Sequence, residues 1–206
     1  MIRLAILASG GGSNMQAIVD AYKFGVLKGL AEVVLVISNN ANAFVLERAR
    51  KENIKSVCIE RKSFKDDEFF NKAIFTKLQV ASVDLVCLAG YMRMIDKEIL
   101  KVYNRRILNI HPALLPKFGG KGMYGHFVHE AVVKAGVKKS GATVHFVNEE
   151  YDSGKIILQK EVEISKSDTP GDIAKKVLEA EHKIYPQAIK KVIEEKFEVK
   201  NDFSLY

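Results

Sequence analysis

The chain has few cysteines and no long apolar run. Only two of its 206 residues are cysteines, Cys58 and Cys87, and no Cys-x-x-Cys spacing occurs. Each lies in an apolar, strand-like run, so we expect two buried free thiols instead of a disulfide or a metal site. No apolar stretch approaches the roughly 20 residues that a membrane-spanning helix requires. Repeats and low-complexity segments are also absent, so the fold must depend on an ordinary hydrophobic core.

The overall composition is that of a globular protein. Hydrophobic residues make up 48% of the chain and charged residues 28%. A chain of this length favours one domain, residues 1–206, with a full core. The segment Met1–Ala8 is too short for a secretory signal and is interpreted as the first strand. We therefore expect a cytoplasmic protein.

The net charge of +7 favours anionic partners. Much of this charge lies on predicted helical faces and in the C-terminal tail, where lysines are ordinarily solvated. No pattern of arginines and aromatic residues indicates nucleic acid, and nothing indicates a membrane. A small phosphorylated or polycarboxylate substrate is the better prediction, and the oligomeric state, monomer or homodimer, is left open.

Strand-like and helix-like segments alternate along the chain. Residues 2–8 form a continuous apolar run, which is typical of a parallel strand covered on both faces. Further strands are predicted at 32–38, 56–59, 83–88, 106–111, 142–147 and 156–164, the last two as an antiparallel pair. Helices are predicted at 14–22, 44–51, 66–79, 97–103 and 126–135. A long final helix should begin at Pro170, be capped by Thr169, and be interrupted or kinked by Pro186.

This order predicts the α/β class. We expect a single doubly wound, Rossmann-like domain whose mostly parallel mixed sheet has helices on both faces.

The tetrapeptide Asn109-Ile110-His111-Pro112 ends one predicted strand. Residues two apart in a strand share a face, so Asn109 and His111 project together, and Pro112 ends the strand. Open α/β sheets bind ligands at the carboxyl ends of their strands. An amide and an imidazole there can both donate hydrogen bonds to the oxyanion of an acyl transfer. The alternative is a structural histidine with no ligand.

A glycine-rich loop, Ser9–Asn14, joins the first strand to the first helix. Glycines allow the backbone to approach a ligand, and the start of a helix offers free N–H groups to an anion. The loop lacks the Gly-Lys-Ser/Thr ending of a P-loop and the third glycine of the dinucleotide fingerprint, so a monophosphate fits best. Ser13 could instead be a plain N-cap, and the loop could be a tight turn without a ligand.

Asp152 lies in a polar loop between the last two predicted strands, where acidic residues are usually just solvated. If it lies close to His111, its carboxylate would raise the pKa of the imidazole and keep it protonated near neutral pH. His145, on the preceding strand, is either a structural histidine or a partner of Asp152.

Several motifs occur in a fixed order from Leu4 to about Ala188. They are Ser9–Asn14, Leu46–Ala49, Leu88–Arg93, Leu108–Pro116, Gly141–Val147, Asp152–Gly154 and Glu181-His182-x-x-Tyr185-Pro186. Together they resemble the phosphoribosylglycinamide formyltransferase family of folate-dependent formyltransferases. The resemblance implies transfer of a formyl group from 10-formyltetrahydrofolate, used as a co-substrate, to the amine of 5′-phosphoribosylglycinamide in purine biosynthesis.

The resemblance also implies roles for individual residues. Asn109, His111 and Asp152 would be catalytic, and no metal would be needed. The nucleotide would be held by Gly12, Ser13, Asn14 and Glu181, and the folate by Met92, Arg93, Met94, Ile95 and Asn109. The N-terminal part of the domain would thus bind the nucleotide, and the C-terminal part would bind folate and carry the catalytic loop.

Three departures from the family pattern are visible. Asp67 stands where many members have an arginine, Lys155 stands where proline is usual, and the segment Gly119–Gly125 differs from many relatives.

Methionyl-tRNA formyltransferases and formyltetrahydrofolate deformylases share parts of the motif set, but ordinarily carry an additional domain for which we expect no room here. A non-catalytic nucleotide-binding module is the alternative from a different class, although it would leave Asn109, His111 and Asp152 without a purpose.

Overall fold

Strands and helices alternate in the computed structural model, which describes residues 1–196. The strands are β1 Ile2–Leu7, β2 Ala31–Ser38, β3 Ser56–Cys58, β4 Leu85–Leu88, β5 Ile107–His111, β6 Lys139–Phe146 and β7 Ile156–Glu163. The helices are α1 Ser13–Phe24, α2 Phe44–Lys51, α3 Asp67–Val80, α4 Lys97–Val102, α5 His126–Ala135 and α6 Pro170–Lys196. The C-terminal tail included in the predicted domain, residues 197–206, lies outside the described residues.

All seven strands form one sheet in the order β3-β2-β1-β4-β5-β6-β7. Strands β1 to β5 are parallel, whereas β6 runs antiparallel to both β5 and β7. The predicted Rossmann-like fold with a mixed sheet is therefore confirmed. The sheet order places the end of β4 beside β5, with Leu88 level with Asn109, so the loops after β1, β4 and β5 meet at one edge.

Helices cover both faces of the sheet, which explains why β1 is apolar throughout. Leu4 and Ile6 pack in one core with residues of α1, α2, α5 and α6. Ala5 and Leu7 point to the opposite face and pack in a second core with residues of α3 and α4. Successive side chains of a strand alternate between faces, so a strand buried on both sides needs apolar residues at every position.

The final helix differs from its prediction at Pro186. Thr169 caps α6 as predicted, because its hydroxyl oxygen accepts a hydrogen bond from the Asp172 N–H at 3.2 Å. The helix then continues through Pro186 to Lys196 without a break, so of the two predicted outcomes the interruption is wrong, and the kink stays a prediction. Tertiary packing accounts for this result, since Ala188 and Ile189 are fully buried beside the proline. The Tyr185 hydroxyl also ties the helix to the sheet, donating to the Leu88 and Leu108 carbonyls at 2.9 and 3.2 Å.

Both cysteines are free, but their environments differ. Cys87 is buried as predicted, and burial raises the pKa of its thiol to about 12. Cys58 is only half-buried on the edge strand β3, so the prediction of two buried thiols is wrong for this residue. Within residues 1–196, every helix is too short or too polar to cross a bilayer.

Candidate active site

One cavity of about 1010 Å³ lies at the carboxyl ends of β1, β4 and β5. It is lined by every residue for which a catalytic or binding role is predicted: Gly12, Ser13, Asn14, Met92, Arg93, Met94, Ile95, Asn109, His111, Asp152 and Glu181. The structure therefore brings together residues that are far apart in sequence. The volume lies at the upper end of the range for small-molecule sites.

The glycine-rich loop is shaped by helix α2. Gly12 is the N-cap of α1 with φ of 74°, and no side chain caps the helix. A Cβ at Gly12 would lie 2.6 Å from Cγ2 of Val45, so both the conformation and the contact require glycine. The Val45 N–H donates to the Gly10 carbonyl at 3.1 Å, and Arg48 Nε donates to the Gly11 carbonyl at 2.8 Å.

Ser13 is consequently the first residue of α1 and not its N-cap. The first N–H groups of the helix receive no side-chain acceptor and line the cavity, where they can bind an anion.

Asn14 and Glu181 form a buried polar pair on the wall of this cavity. The Asn14 amide donates to Glu181 Oε2 at 2.6 Å, and both residues are more than nine-tenths buried. Burial raises the pKa of the Glu181 carboxyl to about 7, although the hydrogen bond from Asn14 opposes the rise. Asn14 Oδ1 is buried without a hydrogen-bond partner. Such a group is usually satisfied by a ligand or a water molecule.

The loop after β4 supplies an apolar wall. Met92 and Met94 are each about half exposed, whereas Ile95 is buried. The Met92 N–H donates to Ser9 Oγ at 2.8 Å, and that hydroxyl donates in turn to Asn39 Oδ1. Ser9 thus joins the glycine-rich loop to the loop that carries the methionines.

Arg93 and Asp67 form an ion pair beside this wall. Arg93 packs over the Phe70 ring, and its Nη2 lies 3.1 Å from Asp67 Oδ1. The same carboxylate oxygen binds Arg61 Nε at 2.5 Å. Asp67 therefore bridges two arginines instead of supplying a positive charge itself.

The catalytic candidates form a compact cluster on β5, β6 and the loop after β6. Asn109 and His111 share one face of β5, as the alternation predicts, and His145 lies opposite Asn109 on β6. Asp152 Oδ2 lies 3.5 Å from His111 Nδ1, and Asp152 Oδ1 lies 3.6 Å from His145 Nε2. His145 is therefore a partner of Asp152.

Hydrogen bonds indicate which ring nitrogens carry protons when the imidazoles are neutral. His145 Nδ1 lies 2.9 Å from the Phe146 carbonyl and donates to it, so Nε2 accepts a hydrogen bond from the Asn109 amide at 3.2 Å. His111 Nε2 likewise donates to the Phe118 carbonyl at 2.8 Å, which leaves Nδ1 facing Asp152.

The protonation state of the His111 imidazole differs from the prediction. Burial lowers the pKa of its imidazole, and this effect outweighs the opposing influence of Asp152 and the Phe118 carbonyl. The expectation that Asp152 keeps His111 protonated near neutral pH is therefore wrong, because His111 is only 3% exposed.

The Asp152 carboxyl, unlike the His111 imidazole, stays charged although it is partly buried. Its own burial favours the neutral acid, but His145, His111 and the Gly120 N–H together hold the pKa of the carboxyl below its usual range. The Gly120 N–H donates to Asp152 Oδ2 at 2.9 Å. In the free protein a neutral imidazole thus faces a charged carboxylate.

Two cavity features are not assigned by the sequence analysis. The segment Gly120–Gly125 lines the cavity, and so does His129 on the first turns of α5. The four glycines between positions 119 and 125 could have indicated the first. His129 gave no signal, because a histidine within a helical pattern is ordinarily structural. Within the described residues, no group of three or more His, Cys, Asp or Glu side chains could hold a metal ion.

The sequence model of the family described as "Formyl transferase" matches residues 2–189. This chain belongs to the formyl transferase family. The match extends from the first strand through the glycine-rich loop and the catalytic cluster to the last helix, and so includes every element that lines the cavity.

Named relatives are similar over nearly the whole chain. A protein named phosphoribosylglycinamide formyltransferase, chloroplastic, from Arabidopsis thaliana is 41% identical over 97% of this chain and 68% of its own length. The trifunctional purine biosynthetic protein adenosine-3 of Bos taurus is 43% identical over 92% of this chain, which spans only 18% of the bovine protein. The crystal structure of glycinamide ribonucleotide transformylase 1 from Symbiobacterium toebii superimposes with a TM-score of 0.88 at 40% identity. It covers 95% of this chain and 89% of its own.

Proposed function

We propose that this chain transfers the formyl group of 10-formyltetrahydrofolate to the primary amine of 5′-phosphoribosylglycinamide. The observation that carries the proposal is the shared cavity, in which an uncapped helix start and the cluster of Asn109, His111 and Asp152 face the same space. Similarity to proteins named for this reaction supports the choice of substrates.

The nucleotide is expected to bind between α1 and α6. The free N–H groups at Gly12, Ser13 and Asn14 suit a phosphate, because the helix dipole adds positive potential at the same point. Glu181 lies beside Asn14 and can accept hydrogen bonds from sugar hydroxyls. Its carboxyl pKa of about 7 makes this capacity dependent on pH near neutrality.

The loop after β4 fits a flat, largely apolar co-substrate. Met92, Met94 and Ile95 provide an adaptable wall for an aromatic ring system, and Arg93 places a positive charge at its edge. The bound folate supplies the formyl group attached to its N10 atom. The wall fixes that group beside Asn109, which belongs to both the folate-binding and catalytic sets.

Transfer forms a bond between the amine nitrogen and the formyl carbon and breaks the bond to N10. Negative charge develops on the formyl oxygen, and one N–H of the Asn109 amide remains free to donate to it, since the other is bound to His145. A donor of this kind contributes about 3 kcal/mol in comparable sites. No covalent bond to the protein is needed, and neither cysteine lines the cavity.

His111 is expected to move the proton. As a neutral imidazole it can accept a proton from the attacking amine and then deliver it to the departing N10. The imidazolium formed between these steps is stabilised by Asp152, 3.5 Å from Nδ1. In the free protein His111 Nε2 carries the proton of the neutral ring and donates to the Phe118 carbonyl. To accept the proton of the amine at Nε2, the ring must first leave this carbonyl and carry its own proton on Nδ1, which faces Asp152.

An assay with both substrates tests this function. The protein is incubated with 10-formyltetrahydrofolate, and tetrahydrofolate release is followed with and without phosphoribosylglycinamide. We expect release only when the nucleotide is present, together with formylation of its amine. Nucleotide-independent release would indicate a hydrolase, and no release in either case would contradict formyl transfer to this amine.

We further infer that the described chain acts as one domain, with the nucleotide mainly on its N-terminal half and the folate and catalytic loop on its C-terminal half. Glu181 is an exception, since it joins the nucleotide wall from the last helix. A cytoplasmic location without nucleic-acid or membrane partners also stays a prediction, which cell fractionation tests. Analytical ultracentrifugation distinguishes a monomer from a homodimer.

A further inference from the structure

The segment Gly120–Gly125 and the start of α5 line the cavity beside the catalytic cluster. Gly125 is the N-cap of α5, and no side chain caps the helix. The segment itself begins next to the catalytic cluster, since the Gly120 N–H donates to Asp152. It therefore connects the reacting groups to a second uncapped helix start, in addition to that of α1.

The second feature of this part of the cavity is the positive charge of Lys121. The loop Ser9–Asn14, where the phosphate is expected, contains no lysine or arginine. Among the described residues that line the cavity, Arg93 and Lys121 are the only ones of these two types. Arg93 is paired with Asp67, whereas Lys121 is exposed and has no ion-pair or hydrogen-bond partner in the described part of the chain. Lys121 is thus the cation available to a dianionic group.

His129 provides the independent observation that this surface meets a ligand. It lines the cavity one turn into α5, is 94% buried, since its exposure is 6%, and has a buried Nδ1 without a partner. An unpartnered N–H in such a position is more costly than an unpartnered lone pair, so the proton belongs on Nε2. His129 then presents a neutral N–H donor, because burial, and to a lesser degree the neighbouring His111, lowers the pKa of its imidazole.

We propose that Lys121, the uncapped first turn of α5 and His129 complete the binding site for the phosphoribosyl part of the nucleotide. This inference rests on the proposed function. Lys121 and the His126 N–H bind the phosphate together with the glycine-rich loop, and His129 donates to an uncharged oxygen nearer the reacting amine.

A comparison of two substrates tests each residue separately. KM and kcat are measured for the unaltered chain and for Lys121→Met and Lys121→Arg, with phosphoribosylglycinamide and with the glycinamide riboside that lacks the phosphate. Lys117→Met is the matched control, since Lys117 lies on the same connection but does not line the cavity. Circular dichroism checks that each variant is folded.

We expect Lys121→Met to raise KM for the nucleotide roughly 10- to 100-fold, as loss of a charge-assisted hydrogen bond does. KM for the folate should not change, Lys121→Arg should retain most of the affinity, and the effect should disappear with the riboside. An unchanged KM for the nucleotide, an equal effect on the riboside, or an effect confined to the folate would each overturn the assignment.

His129 is tested by His129→Leu and His129→Gln, because the glutamine amide can replace the Nε2–H donor. We expect His129→Leu to raise KM equally for nucleotide and riboside, with recovery in His129→Gln; no change in His129→Leu overturns the role. If the unaltered chain shows no turnover, the proposed function fails by itself. Calorimetric titration of the same variants with the nucleotide then still decides whether Lys121 and His129 bind it.

Discussion

The two ends of the cavity are built in different ways. At the reacting end, Asn109, His111, His145 and Asp152 are held by hydrogen bonds and ion contacts within the protein. At the nucleotide end, the first N–H groups of α1 meet no side-chain acceptor and Lys121 has no ion-pair partner among residues 1–196. The reacting groups are thus arranged by the protein itself, whereas these N–H groups and Lys121 stay available to a ligand.

The largest effect should come from removing the proton carrier at the reacting end. We expect His111→Ala to lower kcat by about 1000-fold, within the range for loss of a general acid–base group. The nucleotide end is untouched in this variant, so nucleotide affinity measured by calorimetry should stay within a few-fold of the original. A kcat within tenfold of the unaltered protein would show that the reacting end does not depend on this imidazole.

The glycine-rich loop provides the next prediction, with its neighbour as a control. Gly12→Ala should reduce the free energy of unfolding by about 2–4 kcal/mol, because the alanine would be strained and would overlap Val45. Gly11→Ala meets no atom within 4 Å and should leave stability almost unchanged. Urea unfolding compares the two. Equal stability of both variants would mean that α2 does not shape this loop.

Glu181, at the nucleotide end, should make the stability of the protein depend on pH. Its native pKa, raised from 4.5 to about 7, means that the native state binds the proton more tightly than the unfolded state does. The stability contributed by the protonated acid is therefore present below pH 4.5 and is lost as pH rises through about 7. Glu181→Gln removes this dependence.

Urea unfolding of both proteins checks the sign. The free energy of unfolding of Glu181→Gln, taken relative to that of the unaltered protein, should rise by on the order of 2 kcal/mol from about pH 5 to about pH 8. The other titrating groups are common to both proteins and cancel in the difference. A relative stability that is constant or falls with pH would contradict the buried, mostly protonated carboxyl.

The smallest effect is expected from Arg48, which supports the nucleotide end from outside the cavity. Its Nε–H bond to the Gly11 carbonyl is one ordinary hydrogen bond, so Arg48→Lys should weaken nucleotide binding by about 1 kcal/mol. We expect KM for the nucleotide to rise several-fold, with kcat and KM for the folate unchanged. A fall in kcat without a change in KM would place Arg48 with the reacting groups instead.

The fold was predictable because β1 and the helix starts carry strong local patterns. The alternation in Asn109-Ile110-His111 also placed two site residues on one face correctly. The approach of Asp152 to His111 depends on the path of the loop after β6, and residue patterns alone left it open. The interruption at Pro186, one of two outcomes predicted there, and the protonated state of His111 are both wrong for a common reason. Tertiary burial outweighed the helix-breaking tendency of proline in the first case and the nearby carboxylate in the second.

The charge state of His111 in the free protein is the most direct test of the mechanism. Histidine ring signals are followed by NMR as a function of pH, with His111→Ala used for assignment. The account predicts a His111 midpoint below the ordinary value of 6.5, and a still lower midpoint in Asp152→Asn, because Asp152 raises the pKa that burial lowers. A midpoint above 6.5 in the unaltered protein, or a rise in Asp152→Asn, would contradict a neutral imidazole poised to accept the proton of the amine.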